Sequence, residues 1–419
     1  MRLSLRHSFA AFHGLPPRLW LLCAVGLVNR AGTMVVPFLT LYLVSERGYS
    51  TSDVGLIGAC FGGGAIAGSL LGGFASHRFG VIAVTLSSLV LGAAAFAVLP
   101  WLDSPLSMAV GVLVASTVND AFRPALMTAV ASTVDPASRV RALSAMRLAL
   151  NLGMALGPAI GGMVAAIDYT WLFLGDAASC LLAAAALVWG IRRWGAASLG
   201  GERGQGPSPA RDAPPPRRRH PQRTMAALLI VCAIYAIVIF QFFTTVPVFL
   251  HAEFAWSEAH VGQLLGLQAL LIVGLQMPLV HRLEGRAPLR VAAVGAVLSC
   301  VALGVLTLGH GVSVAIPCTV LWAIGEMLSL PFLTTAVVNL AGDRPARAMG
   351  LFTAALSSGW IIAPGLGLWM SETWGWAALW IGCATVGVAI AGAMLLLASK
   401  AAEPHDDRKS TDASSRSTS

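Results

Sequence analysis

Five charged side chains interrupt long apolar stretches of this sequence: Arg30, Asp120, Arg123, Asp176 and Glu326. A charge inside hydrocarbon costs about 2.5–3.5 kcal/mol on insertion scales, so each needs a partner or a task. Asp120 and Arg123 are three residues apart and follow Asn119. On a helix that spacing puts them on one face, within ion-pair reach. Two readings fit. One is a structural pair that neutralises itself. The other is a carboxylate that takes up and releases a proton, with Arg30 or Arg123 steadying its charged form. Glu326 has no basic residue near it in its own stretch. It fits a carboxyl that is protonated in one state and charged in another, or a hydrogen-bonded structural acid. Arg30, preceded by Asn29, fits support of such a carboxylate or recognition of an anionic ligand. Asp176 lies toward one end of its stretch and reads as a solvated rim residue.

The elements that carry these residues follow from composition. Of 419 residues, 57% are hydrophobic and 11% charged, and the mean hydropathy is +0.77. A soluble chain carries about twice that charged fraction. Apolar runs of about twenty residues recur, the length that crosses about 30 Å of hydrocarbon. They are continuous, without the period-two alternation of barrel strands, so they are helices with all backbone bonds closed internally. We place the spans at 19–45, 53–75, 81–101, 106–134, 142–167, 171–192, 225–252, 258–280, 289–309, 312–340, 346–370 and 375–399. The first run follows Arg2, Arg6 and Arg18 and carries no cleavage pattern, so it is expected to stay as a span. Trp101, Trp171, Trp256 and Trp374 fall at span ends, where amphipathic rings sit at the membrane interface.

The net charge of +8 would fit a nucleic-acid partner, but its distribution does not. With the N-terminus inside, the 27 Lys and Arg residues fall in inner segments or inner span ends, except Arg47, Arg30 and Arg123. Positive residues mark the cytoplasmic side. Both termini are therefore expected in the cytoplasm and the chain in the cytoplasmic membrane, with anionic lipid as the partner of its basic face. All seven cysteines lie within spans and none forms a CxxC pair, so they read as small packing residues. No metal site or cofactor is expected. Enzyme signatures such as HExxH, GxSxG and the phosphate-cradling GxxxxGKS/T are missing. Transport driven by ATP within this chain is thereby disfavoured, which leaves an ion gradient.

The expected domains are a six-span unit over 1–194, a Gly-, Pro- and Arg-rich cytoplasmic linker over 195–224, a second six-span unit over 225–400, and a polar tail over 401–419. The two units resemble each other. One offset carries Arg141 onto Arg347, Gly153 onto Gly359, Pro158 onto Pro364, Gly161 onto Gly367 and Asp120 onto Glu326. Val36-Pro37 matches Val246-Pro247, and Val54-Gly55 matches Val261-Gly262. Duplication of this kind places a central site near the midplane, served by rocking of one half against the other.

Two local patterns are more specific. The fifth span reads Gly153-Met-Ala-Leu-Gly157-Pro158-Ala-Ile-Gly161-Gly162. Glycines at four-residue spacing let helices approach closely, and the proline removes a backbone donor. The loop after the second span reads Gly73-Phe-Ala-Ser-His77-Arg78-Phe79-Gly80. On these patterns the sequence resembles the major facilitator superfamily, and within it the twelve-span drug:proton antiporter group. The first pattern matches the GxxxGPxxGG element of that group's exporters. The second matches the group's inner-loop motif at Gly73, Arg78 and Gly80. It departs at His77, where the family carries an acidic residue, and lacks the following basic pair. The resemblance implies that this loop's conformational latch is weakened or rewired, to Asp135 or to charges of the other half.

The implied fold is an all-α integral membrane protein, with twelve transmembrane helices in two pseudo-symmetric six-helix bundles. The implied cavity is lined by helices 1, 4, 7 and 10, which carry Asn29, Arg30, Asn119, Phe122, Tyr235, Gln241, Phe242, Trp322 and Glu326. The proton-coupling candidates are Asp120, Glu326, Arg30 and Arg123. The implied function is proton-coupled efflux of drug-like or secondary-metabolite compounds by a monomer. A proton-coupled importer or facilitator of a polar, anionic metabolite is the alternative, on the strength of Arg30 and Arg123. A receptor or lipid enzyme is the third reading, disfavoured by the duplicated layout.

Overall fold

The computed structural model describes residues 15–135, 138–200, 222–283, 285–341 and 345–402. The tail over 403–419, most of the linker (201–221) and Arg2 and Arg6 lie outside the described residues. So does the side chain of Arg347. Among the described residues, twelve helices are long and apolar enough to cross a membrane. We name them α1 (Pro17–Glu46), α2 (Thr51–Phe79), α3 (Val81–Trp101), α4 (Pro105–Ser132), α5 (Arg139–Ala165) and α6 (Thr170–Trp194). After a short helix at Ala196–Gly200, the second bundle begins with α7, formed by Gln222–Ile239, Gln241–Thr244 and Val246–Phe254 in series. It continues with α8 (Glu258–Arg282), α9 (Pro288–Val305), α10 (Val312–Leu340), α11 (Pro345–Trp374) and α12 (Trp376–Ala402). The face where α1 begins and α12 ends is called the near face; the opposite one is the far face.

Sequence-based spans and observed helices agree to within a few residues at most ends. The exceptions are informative. Both α1 and α7 are broken, which hydropathy does not register because the break residues are themselves apolar or small. In α1 the helix stops at Ala31 and restarts at Val35. In α7 it is interrupted at Phe240 and again at Thr245. Each restart is followed within one turn by a proline, Pro37 or Pro247. A proline is tolerated there because first-turn N–H groups have no intrahelical acceptor. Upstream of each restart the chain must turn out of the regular ladder.

The two bundles meet where backbones come closest. On α5, a Cβ built at Gly162 would stand 2.6 Å from the Gly262 Cα and 2.5 Å from the Glu258 carbonyl of α8. One at Gly58 of α2 would stand 2.5 Å from the Pro364 ring of α11. Gly55 and Gly365 face each other across the same pair of helices. The far segments of α1 and α7 also pack on one another. These contacts lie in the far half of the molecule, so the protein is closed at its far face. The rim adds polar clasps. The Tyr169 hydroxyl donates to Glu258 Oε1 at 2.9 Å, and the Thr51 hydroxyl bonds Glu372. Burial, and then the adjacent Glu258 carboxylate, hold the Tyr169 phenol above its ordinary pKa, so it remains a donor.

Arg47, the basic residue that broke the charge pattern, is spent at this rim. Its Nη1 reaches Asp103 at 3.1 Å and its Nε donates to the Tyr42 oxygen at 2.5 Å. Another donor of the same guanidinium bonds the Pro100 carbonyl. The residue ties the end of α1 to the turn between α3 and α4. Trp101, Trp171 and Trp374 are exposed at the far ends of their helices, and Trp256 is partly covered by Phe254 and His260. This is the belt expected at an interface.

The α5–α8 contact leaves no volume for a side chain. Gly162→Val is expected to open the far face, since overpacking of a close contact costs about 1–3 kcal/mol. Spin labels at Ser52 and Thr373, one on each bundle's rim, would report a longer distance distribution in the variant than in the parent. An unchanged distribution would mean that this contact does not hold the face shut.

Candidate functional site

The charged residues of the first bundle converge. Arg30 is the penultimate residue of the first segment of α1, just before the break. It is buried, with 9% of its surface accessible. Asp120 and Arg123 come to it from α4, and Asp176 from α6; all three lie within electrostatic reach of its guanidinium. Asp120 is half-buried and Arg123 exposed. The three-residue spacing does not produce the expected direct ion pair. Among the described residues, the charge contacts within 4.0 Å are Arg47–Asp103 and His251–Glu258, both at the far rim. Asp120 thus feels two guanidinium groups, Arg30 and Arg123, with no ion pair within 4.0 Å to either among the described residues. The self-neutralising Asp120–Arg123 pair is corrected to a looser cluster of two cations and two carboxylates. Within it, Arg30 Nη2 and Asn29 Oδ1 are buried with no hydrogen-bond partner among the described residues.

Asp176 is the second correction. It is not a solvated rim residue: 2% of its surface is accessible. Its Oδ1 accepts the Met34 N–H at 2.9 Å and its Oδ2 the Val35 N–H at 3.2 Å. The break leaves the Val35 N–H open and gives the Met34 N–H only the Gly32 carbonyl two residues back, at 2.6 Å; the carboxylate receives both. The signal was in the sequence as an acid deep in an apolar run, but its acceptors' partners could not be named before the break was seen.

In the second bundle Glu326 is half-buried on α10. Gln268 Nε2 of α8 donates to its Oε2 at 3.0 Å. No cation stands within 4.0 Å of it among the described residues. Asp120 and Glu326, related by the internal repeat, therefore occupy different surroundings, one between cations and one beside a neutral amide.

Several residues expected to line a cavity are spent on packing. Tyr235 is fully buried, and its hydroxyl is shared with Ser299 at 2.9 Å and Ser329 at 2.6 Å. Phe242 and Trp322 are fully buried and stacked on each other, ring centres 4.1 Å apart. Phe122 lies in the core of the first bundle. Gln241 is buried and donates to the Ala363 carbonyl at 3.0 Å, tying the α7 break to α11. Asn29 donates to Cys180 Sγ at 3.5 Å, while Asn119 is half-buried beside Asp120. The half-buried aromatic surface is instead made by Phe61, Phe240, Phe243 and Trp360. Phe61 of α2 meets Trp360 of α11 across the two bundles, 5.6 Å between ring centres. Sequence reading placed Phe61 and Trp360 on helices outside the expected lining set, and so passed them over.

The α5 glycines divide their work between two neighbours. Gly153, Gly157 and Gly161 lie against α1 at Arg30, Thr33 and Met34, and Gly162 against α8. Pro158 turns its carbonyl toward Gly262 of the other bundle. The inner-loop motif is plainer. Gly80 ends α2 at φ +90°, the conformation glycine admits. His77 and Arg78 are exposed, and Arg78 stacks over the Phe79 ring at 5.6 Å. Gly73 has open space around it. Among the described residues Arg78 makes no ion pair with Asp135. All seven cysteines are free thiols.

Comparison with known proteins agrees with this architecture. The profile of the Major Facilitator Superfamily matches residues 21–364. An uncharacterized MFS-type transporter of Bacillus subtilis (strain 168), YqjV, is 24% identical over 328 residues, which cover 74% of this chain and 75% of that protein. YttB of the same organism, also an uncharacterized MFS-type transporter, is 30% identical over 185 residues, 42% of this chain and 45% of its own. Among solved structures, a POT family transporter in complex with 5-aminolevulinic acid superposes with a TM-score of 0.75 at 16% identity, covering 94% of this chain and 98% of that one. The nucleoside transporter NupG superposes with a TM-score of 0.76 at 12% identity, covering 91% and 99%.

The packing role of Tyr235 is testable. Tyr235→Phe removes the hydroxyl shared by Ser299 and Ser329, which keep their backbone acceptors, at a cost of about 0.5–1.5 kcal/mol. The variant should unfold at lower temperature in detergent yet keep its transport rate. A lost rate at unchanged stability would return Tyr235 to the cavity.

Proposed function

This chain belongs to the Major Facilitator Superfamily, and on that footing we propose that it is a proton-coupled exporter of drug-like or secondary-metabolite compounds. Its membership makes it a multi-pass membrane transporter of a small-molecule substrate. The observation that carries export is the placement of the GxxxGPxxGG element. Its glycines let α5 seat against α1 on one edge and against α8 of the other bundle on the next. In our reading the near face is cytoplasmic, because the basic residues gather there. The closed far face is then the external seal, and α5 is the helix that makes and breaks it. Rocking of the bundles about this seal alternates access to a midplane site.

Asp120 and Glu326 are the coupling carboxylates in this reading. Their unlike surroundings support a division of labour. Asp120 lies within electrostatic reach of Arg30 and Arg123, so a ligand that disturbs those cations changes its hold on a proton. Glu326, with an amide as its donor, trades its proton more freely. The half-buried ring surface of Phe61, Phe240, Phe243 and Trp360 beside Glu326's bundle suits amphipathic organic molecules, cations included.

One observation favours a second reading, import or facilitated passage of a polar, anionic metabolite. Arg30 keeps an unbonded Nη2 and Arg123 is exposed, as an anion-binding pair requires.

Inverted membrane vesicles carrying an imposed pH gradient and an internal pH dye separate the two. A lipophilic cation such as ethidium should collapse the gradient through the parent protein, and this response should fall to background in Glu326→Gln and weaken in Asp120→Asn. If instead ethidium has no effect and organic acids move in an Arg30-dependent manner, the exporter reading fails and the second one stands.

A further inference from the structure

The polar contact that closes the α1 break belongs to a residue outside the proton-coupling and cavity sets. We propose that Asp176 is a positioning residue, whose carboxylate holds α1 in its broken form and thereby sets where Arg30 stands.

The contact is bidentate. Each carboxylate oxygen takes one of two consecutive backbone N–H groups, Met34 and Val35, at the start of the second segment of α1. The surrounding surface is fitted to the break. A Cβ at Gly32 would stand 1.7 Å from the Ser179 hydroxyl, so α6 docks directly on the bend. Gly175 lies under Met34, and Cys180 receives the Asn29 amide. On its other side the same bend rests on α5, where Gly157 faces the carbonyls of Arg30 and Thr33 and Gly161 faces Met34. The bend is therefore clamped between α6 and α5, and α5 in turn touches α8 of the second bundle.

The second bundle has no such charge. The offset that carries Arg141 onto Arg347 carries Asp176 onto Gly382 of α12. The α7 break is served instead by its own Gln241 and Thr245, which bond each other, with Gln241 also reaching Ala363. One break is held by an ionisable group and the other by neutral ones.

That difference has a chemical consequence. A carboxylate accepts two N–H groups at once. A protonated carboxyl, or an Asn side chain, keeps one good acceptor and presents a donor to the second N–H. Neutralising Asp176 therefore opposes one end of the clamp and frees the first turn of the second segment to move. The charged and titratable groups that bear on Asp176 are Arg30 of α1 and Cys180 of α6, with Asp120 and Arg123 of α4 acting on Arg30. At the bend α5 presents Gly153, Gly157 and Gly161 of its motif.

Hydrogen–deuterium exchange of the full-length protein in lipid nanodiscs tests this without knowledge of the substrate. In the parent, amides of Met34 and Val35 should be protected near neutral pH. After correction for intrinsic exchange, that protection should fall as the medium is acidified. In Asp176→Asn the Val35 amide should exchange roughly 10- to 100-fold faster at neutral pH, the loss of a charge-assisted bond, Met34 should change less because it keeps the Gly32 carbonyl, and the pH dependence should vanish. Asp176→Glu should restore part of the protection. Peptides from 258–282 should not change. Modification of Arg30 by phenylglyoxal, read by mass spectrometry, should accelerate in Asp176→Asn. Equal protection in parent and Asp176→Asn, or an unchanged Arg30 rate, would overturn the proposal. If Asp176→Asn does not fold, a flat pH profile in the parent would do the same.

Discussion

A helix break inside hydrocarbon leaves backbone N–H and C=O groups that nothing outside the protein can satisfy. Much of this structure follows from how two such breaks are closed. In α1 the acceptor comes from another helix, as the carboxylate of Asp176. In α7 the acceptors are the segment's own Phe240 and Gln241 carbonyls, which take the Thr244 and Thr245 N–H groups, while the Gln241 side chain donates to the Ala363 carbonyl of α11. The first solution imports a negative charge into the bundle. Arg30 stands one turn away from it, and Asp120 and Arg123 stand around Arg30. The cluster is thus an extension of the cap, and its unbonded guanidinium nitrogen is what remains after the capping is done.

Close approach is the second constraint, and it is met by deleting side chains. In a lipid solvent helices gain little from burying apolar surface, so association rests on packing distance. The α5 glycines let that helix lie against the bend of α1 and against α8 within a single turn of each other. A contact of backbone on backbone couples the internal geometry of one bundle to its boundary with the other. The charged cluster and the seal are consequently not separate features. They share α5 as a common wall.

Much of the fold was legible in the sequence, because the signals that report it are long. Twenty-residue apolar runs, a one-sided distribution of arginine and a repeat across two halves each average over many residues, and single exceptions do not spoil them. Arg47 was such an exception, explained by Asp103, Tyr42 and Pro100 only once the rim was seen. The site was less legible, since it depends on which side chains meet. The sequence offered Arg30 or Arg123 as the cation beside Asp120, and the structure brings both within electrostatic reach of it. Residue type alone made Phe242, Trp322 and Tyr235 look like lining, although their burial and stacking show them behind it. Asp176 was misjudged because its position along the run was read as depth, whereas α6 packs directly on a break that hydropathy cannot register. Pro37 and Pro247, each just inside a restarting helix, were the available clue.

The facing of Gly162 and Gly262 has a mechanical meaning of its own. Soft side chains between two bodies would compress by degrees, and the end of a closing stroke would vary with their rotamers. Two bare backbones cannot yield in this way. In the proposed rocking of the bundles, their contact is a hard stop at the closed end of the stroke. Whatever the amplitude of motion at the opposite face, it is measured from that stop, so α5 and α8 set the zero of the molecule's scale.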